Sequence, residues 1–307
     1  MDWLTRCVPE PETFLAEHWR KEPVVLRPEN PPVDVLTVAE VDRLLDAGAL
    51  ATPYAQLVHE EGVVAPERFC LPRVVLGEIV ERYVDAGSVR RIVAQERATL
   101  LLRYVDQWHA GVRELADGLA ERFGRQVEAF YFLTPPGTQG RPVHRDDADI
   151  LAVQIHGAKR WRVYGGPADG EWQPERAEGD LGEPRLDTVL EEGEVLYVPR
   201  AFAHAAAAVG DTPSAHLSLT VREAGTAQLY ALARALLLTG DEIAPRPNDD
   251  ASLHTAASGL IAHFRTTLAG LTPGELVELA RETMRTERPS PGRPLSDLIG
   301  TGPAHGA

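Results

Sequence analysis

Between about residues 127 and 221 the chain breaks into short apolar runs separated by Gly, Pro and Asp. The runs 127–133, 148–155, 159–164, 194–198 and 215–221 are each strand-length, with turn signals such as Thr134-Pro135-Pro136-Gly137, His156-Gly157 and Glu192-Gly193 between them. No such strand buries its apolar face alone, and several in succession fold as a sandwich or barrel. An acidic, Gly/Pro-rich stretch, 165–188, interrupts the series and reads as an insertion over one rim.

Helical spacing brackets the strands. Residues 10–22 read as a helix with Phe14, Leu15 and Trp19 on one side, and the apolar run 23–26 reads as a strand. Thr37-Val38-Ala39-Glu40 is a capping-box pattern ahead of Val41, Leu44 and Leu45. Residues 74–86 read as helix and 98–105 as strand. The 110–123 stretch carries Val112, Leu115, Leu119 and Phe123 at helical spacing. Beyond 224 the stretches 229–238, 252–268 and 273–285 read as three helices, and the Pro/Gly-rich end as a poorly ordered tail. The expected organisation is α+β. It comprises an N-terminal helical and strand region (1–125), a β core (126–222), a C-terminal helical region (223–287) and a flexible tail (288–307).

Two segments in the β region carry chemistry. His144 and Asp146 are two apart, so on extended backbone both side chains point to one face. His204 follows the strand-like run 194–198 after Pro199. Two imidazoles and one carboxylate form the facial triad that holds non-haem Fe(II) and leaves other positions open. Lys159 shares a strand face with Trp161 and Val163, the apolar and therefore buried face. An ammonium there either snorkels to the rim or needs an anion; a dicarboxylate cosubstrate would supply one, with the metal chelating one end and Lys159 holding the other.

Composition narrows the class. The 307 residues carry a formal charge of -15, which disfavours a nucleic-acid footprint and reads either as solubility alone or as attraction for a basic protein or peptide. No apolar run is long enough to span a membrane, and MDWLTRCVPEPE lacks a signal-peptide pattern. Cys7 and Cys70 have no motif spacing and read as reduced thiols. The expected compartment is the cytoplasm.

Residues 135–164, PPGTQGRPVHRDDADILAVQIHGAKRWRVY, resemble the core of the JmjC-type cupin family that includes the ribosomal oxygenases. The stretches 14–23, 192–199 and 214–220 resemble that family's entry helix, the strand before the distal His and the closing strand, in the same order. The resemblance implies a double-stranded β-helix (cupin/jelly-roll). It implies Fe(II) on His144, Asp146 and His204, with 2-oxoglutarate and O2 as cosubstrates. The outer carboxylate of 2-oxoglutarate falls to Lys159, with Ser218 nearby. The implied reaction is hydroxylation of an amino-acid side chain in a protein, a peptide or an amino-acid-derived substrate, giving succinate and CO2. Phe130 and Phe132 depart from the family, which usually places an Asn and a Tyr there on the substrate side. Arg141, Arg145 and Thr220 are further candidates for that side; by strand parity Thr220 shares a face with His216 and Ser218. The C-terminal helices imply a homodimer.

Two other readings compete. A metal-binding cupin module without oxygenase chemistry predicts that Lys159 is dispensable. A cosubstrate-free cupin enzyme predicts an additional His ligand, for which His216 is the candidate.

Overall fold

Strict alternation builds the β region. In the computed structural model, Val127–Thr134 sends Val127, Ala129 and Tyr131 into one apolar core and turns Glu128, Phe130, Phe132 and Thr134 to the opposite face. Ser214–Val221 does the same, with Ala215, Leu217, Leu219 and Val221 in the core and His216, Ser218 and Thr220 opposite. The structure describes residues 2–59, 62–175, 177, 179–238 and 247–286, so the expected tail at 288–307 lies outside the described residues.

The strands are Val24–Leu26 (β1), Ala55–His59 (β2), Gly62–Val63 (β3), Arg73–Val75 (β4), Glu78–Val80 (β5), Thr99–Leu102 (β6), Val127–Thr134 (β7), Asp149–His156 (β8), Ala158–Val163 (β9), Leu186–Leu190 (β10), Val195–Val198 (β11), His204–Val209 (β12) and Ser214–Val221 (β13). Among the described residues an eight-stranded sheet runs β1-β11-β8-β13-β7-β6-β2-β3, and a three-stranded sheet runs β10-β9-β12. Every pairing is antiparallel. Ile150, Ala152, Leu196 and Val198 of the large sheet meet Trp161, Val163 and Leu190 of the small one in an inner core. The outer face of the large sheet packs against helices, Ala110–Phe123 among them, in a second and larger core. Sheets facing each other across an inner core, one face backed by helices, make the double-stranded β-helix (cupin/jelly-roll) and the α+β class expected.

The chain divides into two units, Met1–Glu223 and Ala224–Ala307. The second contains the helices Thr226–Leu238, Asp250–Ala269 and Pro273–Thr286, close to the three expected. No helix among the described residues is long and apolar enough to cross a membrane.

Three local expectations are corrected. Residues 74–86 do not form a helix. β4 and β5 pair as a hairpin whose turn, Leu76-Gly77, has positive φ at both positions (53° and 84°), as a type I′ turn requires. The apolar residues there form no buried stripe, since Leu76 is fully exposed. The helix instead starts at Ala86, where Asp85 accepts from the Ser88 amide at 2.7 Å, and runs to Glu96. The entry helix is also shorter than 10–22. It ends at Glu17, with Phe14 buried and Leu15 42% exposed, and Trp19 stacks on Phe123 and Tyr197 from beyond it. Of the capping box, only the Thr37 half forms: its hydroxyl accepts from the Glu40 amide at 3.2 Å. The Glu40 carboxylate pairs with Arg43 instead.

Candidate active site

His144 and His204 meet as a two-residue antiparallel bridge. The His144 amide donates to the His204 carbonyl at 3.1 Å and the His204 amide returns the bond at 2.9 Å. His204 opens β12, whereas His144-Arg145-Asp146 lies outside any strand, held by this bridge and by the Ala201 amide donating to the Asp146 carbonyl at 3.0 Å. Asp149, fully buried at the start of β8, accepts from Tyr197 Oη at 2.7 Å and from the Arg200 amide at 3.1 Å. That fixes the turn leading into His204.

The two imidazoles are set for a metal. His144 Nδ1 lies 2.8 Å from the Pro142 carbonyl and His204 Nδ1 lies 3.1 Å from the Phe202 carbonyl. A carbonyl only accepts, so both protons sit on Nδ1 and both Nε2 lone pairs are free. Both Nε2 atoms face the same carboxylate oxygen, Asp146 Oδ2, at 3.7 and 3.5 Å. The ligand atoms of the three residues all lie within 4.8 Å of one another. Burial lowers the His144 pKa and keeps its ring neutral. Burial pushes the Asp146 carboxyl up, but the two imidazoles beside it outweigh that and hold the group well below its ordinary range. Two imidazole nitrogens with open lone pairs and one ionised oxygen are a donor set that fits a divalent non-haem metal.

A cleft opens beside this cluster. Lys159 lies in its wall, 2% exposed, with Nζ 2.9 Å from Thr134 Oγ1 and 3.3 Å from His216 Nδ1. Among the described residues no carboxylate lies within ion-pair distance of it. Burial alone lowers its pKa to about 7. His216 stacks parallel on Phe132 at 4.7 Å and meets Trp161 edge-on at 5.3 Å, and burial holds it neutral.

The sequence-derived candidates divide. His144, Asp146, His204, Lys159, Ser218, Phe132 and Arg141 line the cleft. Phe130, Arg145 and Thr220 are not among its lining residues. Phe130 packs on Tyr104 with ring centroids 5.1 Å apart, and Thr220 Oγ1 donates to the Glu128 carbonyl at 3.2 Å. Arg145 is buried and donates to the Gly165 carbonyl at 3.0 Å and the Ala201 carbonyl at 2.5 Å. It ties loop to loop and presents no charge at an entrance. Thr134, beside Lys159, was signalled only by its parity with Phe132.

Known proteins share parts of this sequence and this architecture. The JmjC domain model matches residues 107–229. The matched segment contains β7 to β13, and with them every residue that lines the cleft. Ribosomal oxygenase 1 of Gallus gallus is 33% identical over 224 residues, covering 68% of this chain and 34% of that protein. The bifunctional lysine-specific demethylase and histidyl-hydroxylase NO66 of Aedes aegypti is 27% identical over 233 residues, covering 71% of this chain and 34% of that protein. The chain thus spans about a third of the length of these curated relatives. Among solved structures, YcfD, a ribosomal oxygenase from Escherichia coli in complex with cobalt and 2-oxoglutarate, aligns with a TM-score of 0.57 at 20% identity. That alignment covers 95% of this chain and 77% of the other. At that identity the likeness is one of fold, and it agrees with the architecture already described.

Proposed function

We propose that this chain is an Fe(II)- and 2-oxoglutarate-dependent oxygenase that hydroxylates an amino-acid side chain of a protein or peptide. One observation carries the reading. Two histidine Nε2 atoms converge on one aspartate oxygen, and the same cleft holds a buried lysine with no carboxylate partner among the described residues. Those three residues would hold Fe(II), which supplies the dioxygen and one-electron chemistry that side chains lack. The chain's own residues bind and orient. The Pro142 and Phe202 carbonyls fix the two rings. Lys159, steadied by Thr134, receives the distal carboxylate of 2-oxoglutarate, and Ser218 and His216 line its wall. Phe132 and Trp161 keep that wall apolar, which strengthens the lysine–carboxylate pair.

Histidyl hydroxylation, named in the Aedes aegypti relative, is one form of this reaction. The charge of -15 suits a basic protein or peptide. We place the protein in the cytoplasm on its composition. We take it as a homodimer because Thr226–Leu238 and Asp250–Ala269 contain no buried residue while exposing Tyr230, Leu253 and Ile261.

Asp146→Ala tests the reading. The variant should keep its fold by circular dichroism and lose 2-oxoglutarate-dependent succinate formation. Full retained turnover would remove Asp146 from the metal.

A further inference from the structure

Arg141 stands between two carboxylates. Its Nη1 is 3.8 Å from Asp146 Oδ1, within ion-pair range but beyond a hydrogen bond, while its Nη2 bonds the Glu175 carboxylate. A guanidinium presents five donors in a plane and closes on a carboxylate as a two-pronged fork. Closed on Asp146, that fork would engage Oδ2, the oxygen that faces both histidine Nε2 atoms. An incoming ion would then have to displace a charge-assisted pair.

We propose that Glu175 is a positioning residue for the metal centre, holding the Arg141 guanidinium off Asp146 so that Oδ2 stays available. This rests on reading His144, Asp146 and His204 as metal ligands. Glu175 belongs to the 165–188 insertion, and the structure pins it in place. Its amide donates to the Arg145 carbonyl at 2.9 Å, and its backbone takes a φ of 68°, a left-handed value that non-glycine residues rarely adopt. The buried Arg145 side chain fastens the start of the same insertion at Gly165 to Ala201, and the Ala201 amide donates to the Asp146 carbonyl. The insertion is thereby fastened to both ligand-bearing segments, and Glu175 is the point where it sets the charge around Asp146. The Glu175 side chain is 62% exposed, so replacing it disturbs no core.

The test is direct titration with Mn(II), reading the free ion by electron paramagnetic resonance, on wild type, His204→Ala, Glu175→Gln and the double variant Glu175→Gln/Arg141→Gln. Glu175→Gln should raise the Mn(II) Kd by about 10-fold or more, the scale on which outer-shell partners act. Adding Arg141→Gln should return it to the wild-type value, a rescue that a merely structural role for Glu175 does not produce. An unchanged Kd in Glu175→Gln overturns the proposal, as does a double variant as weak as the single one. If wild type binds Mn(II) no better than His204→Ala, the metal-centre reading itself fails, and this inference with it.

Discussion

Lys159 gives the clearest case at the scale of single residues. Its Nζ contacts a hydroxyl and a neutral imidazole, and burial brings its pKa to about 7. An unfolded lysine titrates near ~10.4. Between those values the unfolded chain holds a proton that the folded chain has shed, so this group makes stability rise as pH climbs from about 7 towards about 10. A carboxylate arriving beside Nζ restores the charge. Binding of 2-oxoglutarate at pH 8 should therefore take up a proton, measured by calorimetry in buffers of different ionisation enthalpy. Lys159→Ala should abolish that uptake and raise the 2-oxoglutarate requirement strongly, with little change in metal affinity. No uptake in wild type would move the cosubstrate away from Lys159. Lys159 and the His144–Asp146 pair were legible in the sequence because parity along one extended segment places side chains on a face, and His204 because it follows a strand-like run and a proline. Thr134, Glu175 and the true place of Arg145 were not, because they depend on which segments meet across the fold.

At the scale of elements, turns decide where sequence reading succeeds. The His156-Gly157 turn is visible in the sequence, and the structure shows why it is glycine. Gly157 has a φ of 62°, and an added Cβ would sit 2.4 Å from the Pro213 carbonyl oxygen. Gly157→Ala should lower stability by roughly 1–3 kcal/mol, seen as a reduced urea midpoint at constant slope. An unchanged midpoint would mean that the β8–β9 turn is free to shift. The strands β7, β8, β9, β11 and β13 were legible because each has a buried face and a turn signal. The hairpin β4–β5 read as helix because Val74, Val75, Ile79 and Val80 fit a helical stripe as well as a strand, and exposure cannot be seen in sequence. Likewise β12, His204–Val209, is mostly alanine and valine and carries little strand signal of its own. Its pairing with β9 makes it a strand.

At the scale of the whole molecule, the double-stranded β-helix brings residues 144, 146, 159 and 204 to one cleft through the bridge of His144 to His204 and the pairing of β9 with β12. The C-terminal helices leave Tyr230, Leu253 and Ile261 exposed within this chain. Light scattering at micromolar concentration should give the mass of a dimer, and charged substitutions at Leu253 and Ile261 should give the monomer. A monomeric wild type would refute that assembly. The central claim, metal and 2-oxoglutarate in one cleft, is tested most directly by adding 2-oxoglutarate anaerobically to Fe(II)-loaded protein and watching the visible metal-to-ligand charge-transfer band. The account predicts a band with wild type and none with His204→Ala. Bound Fe(II) with no band in wild type would contradict it.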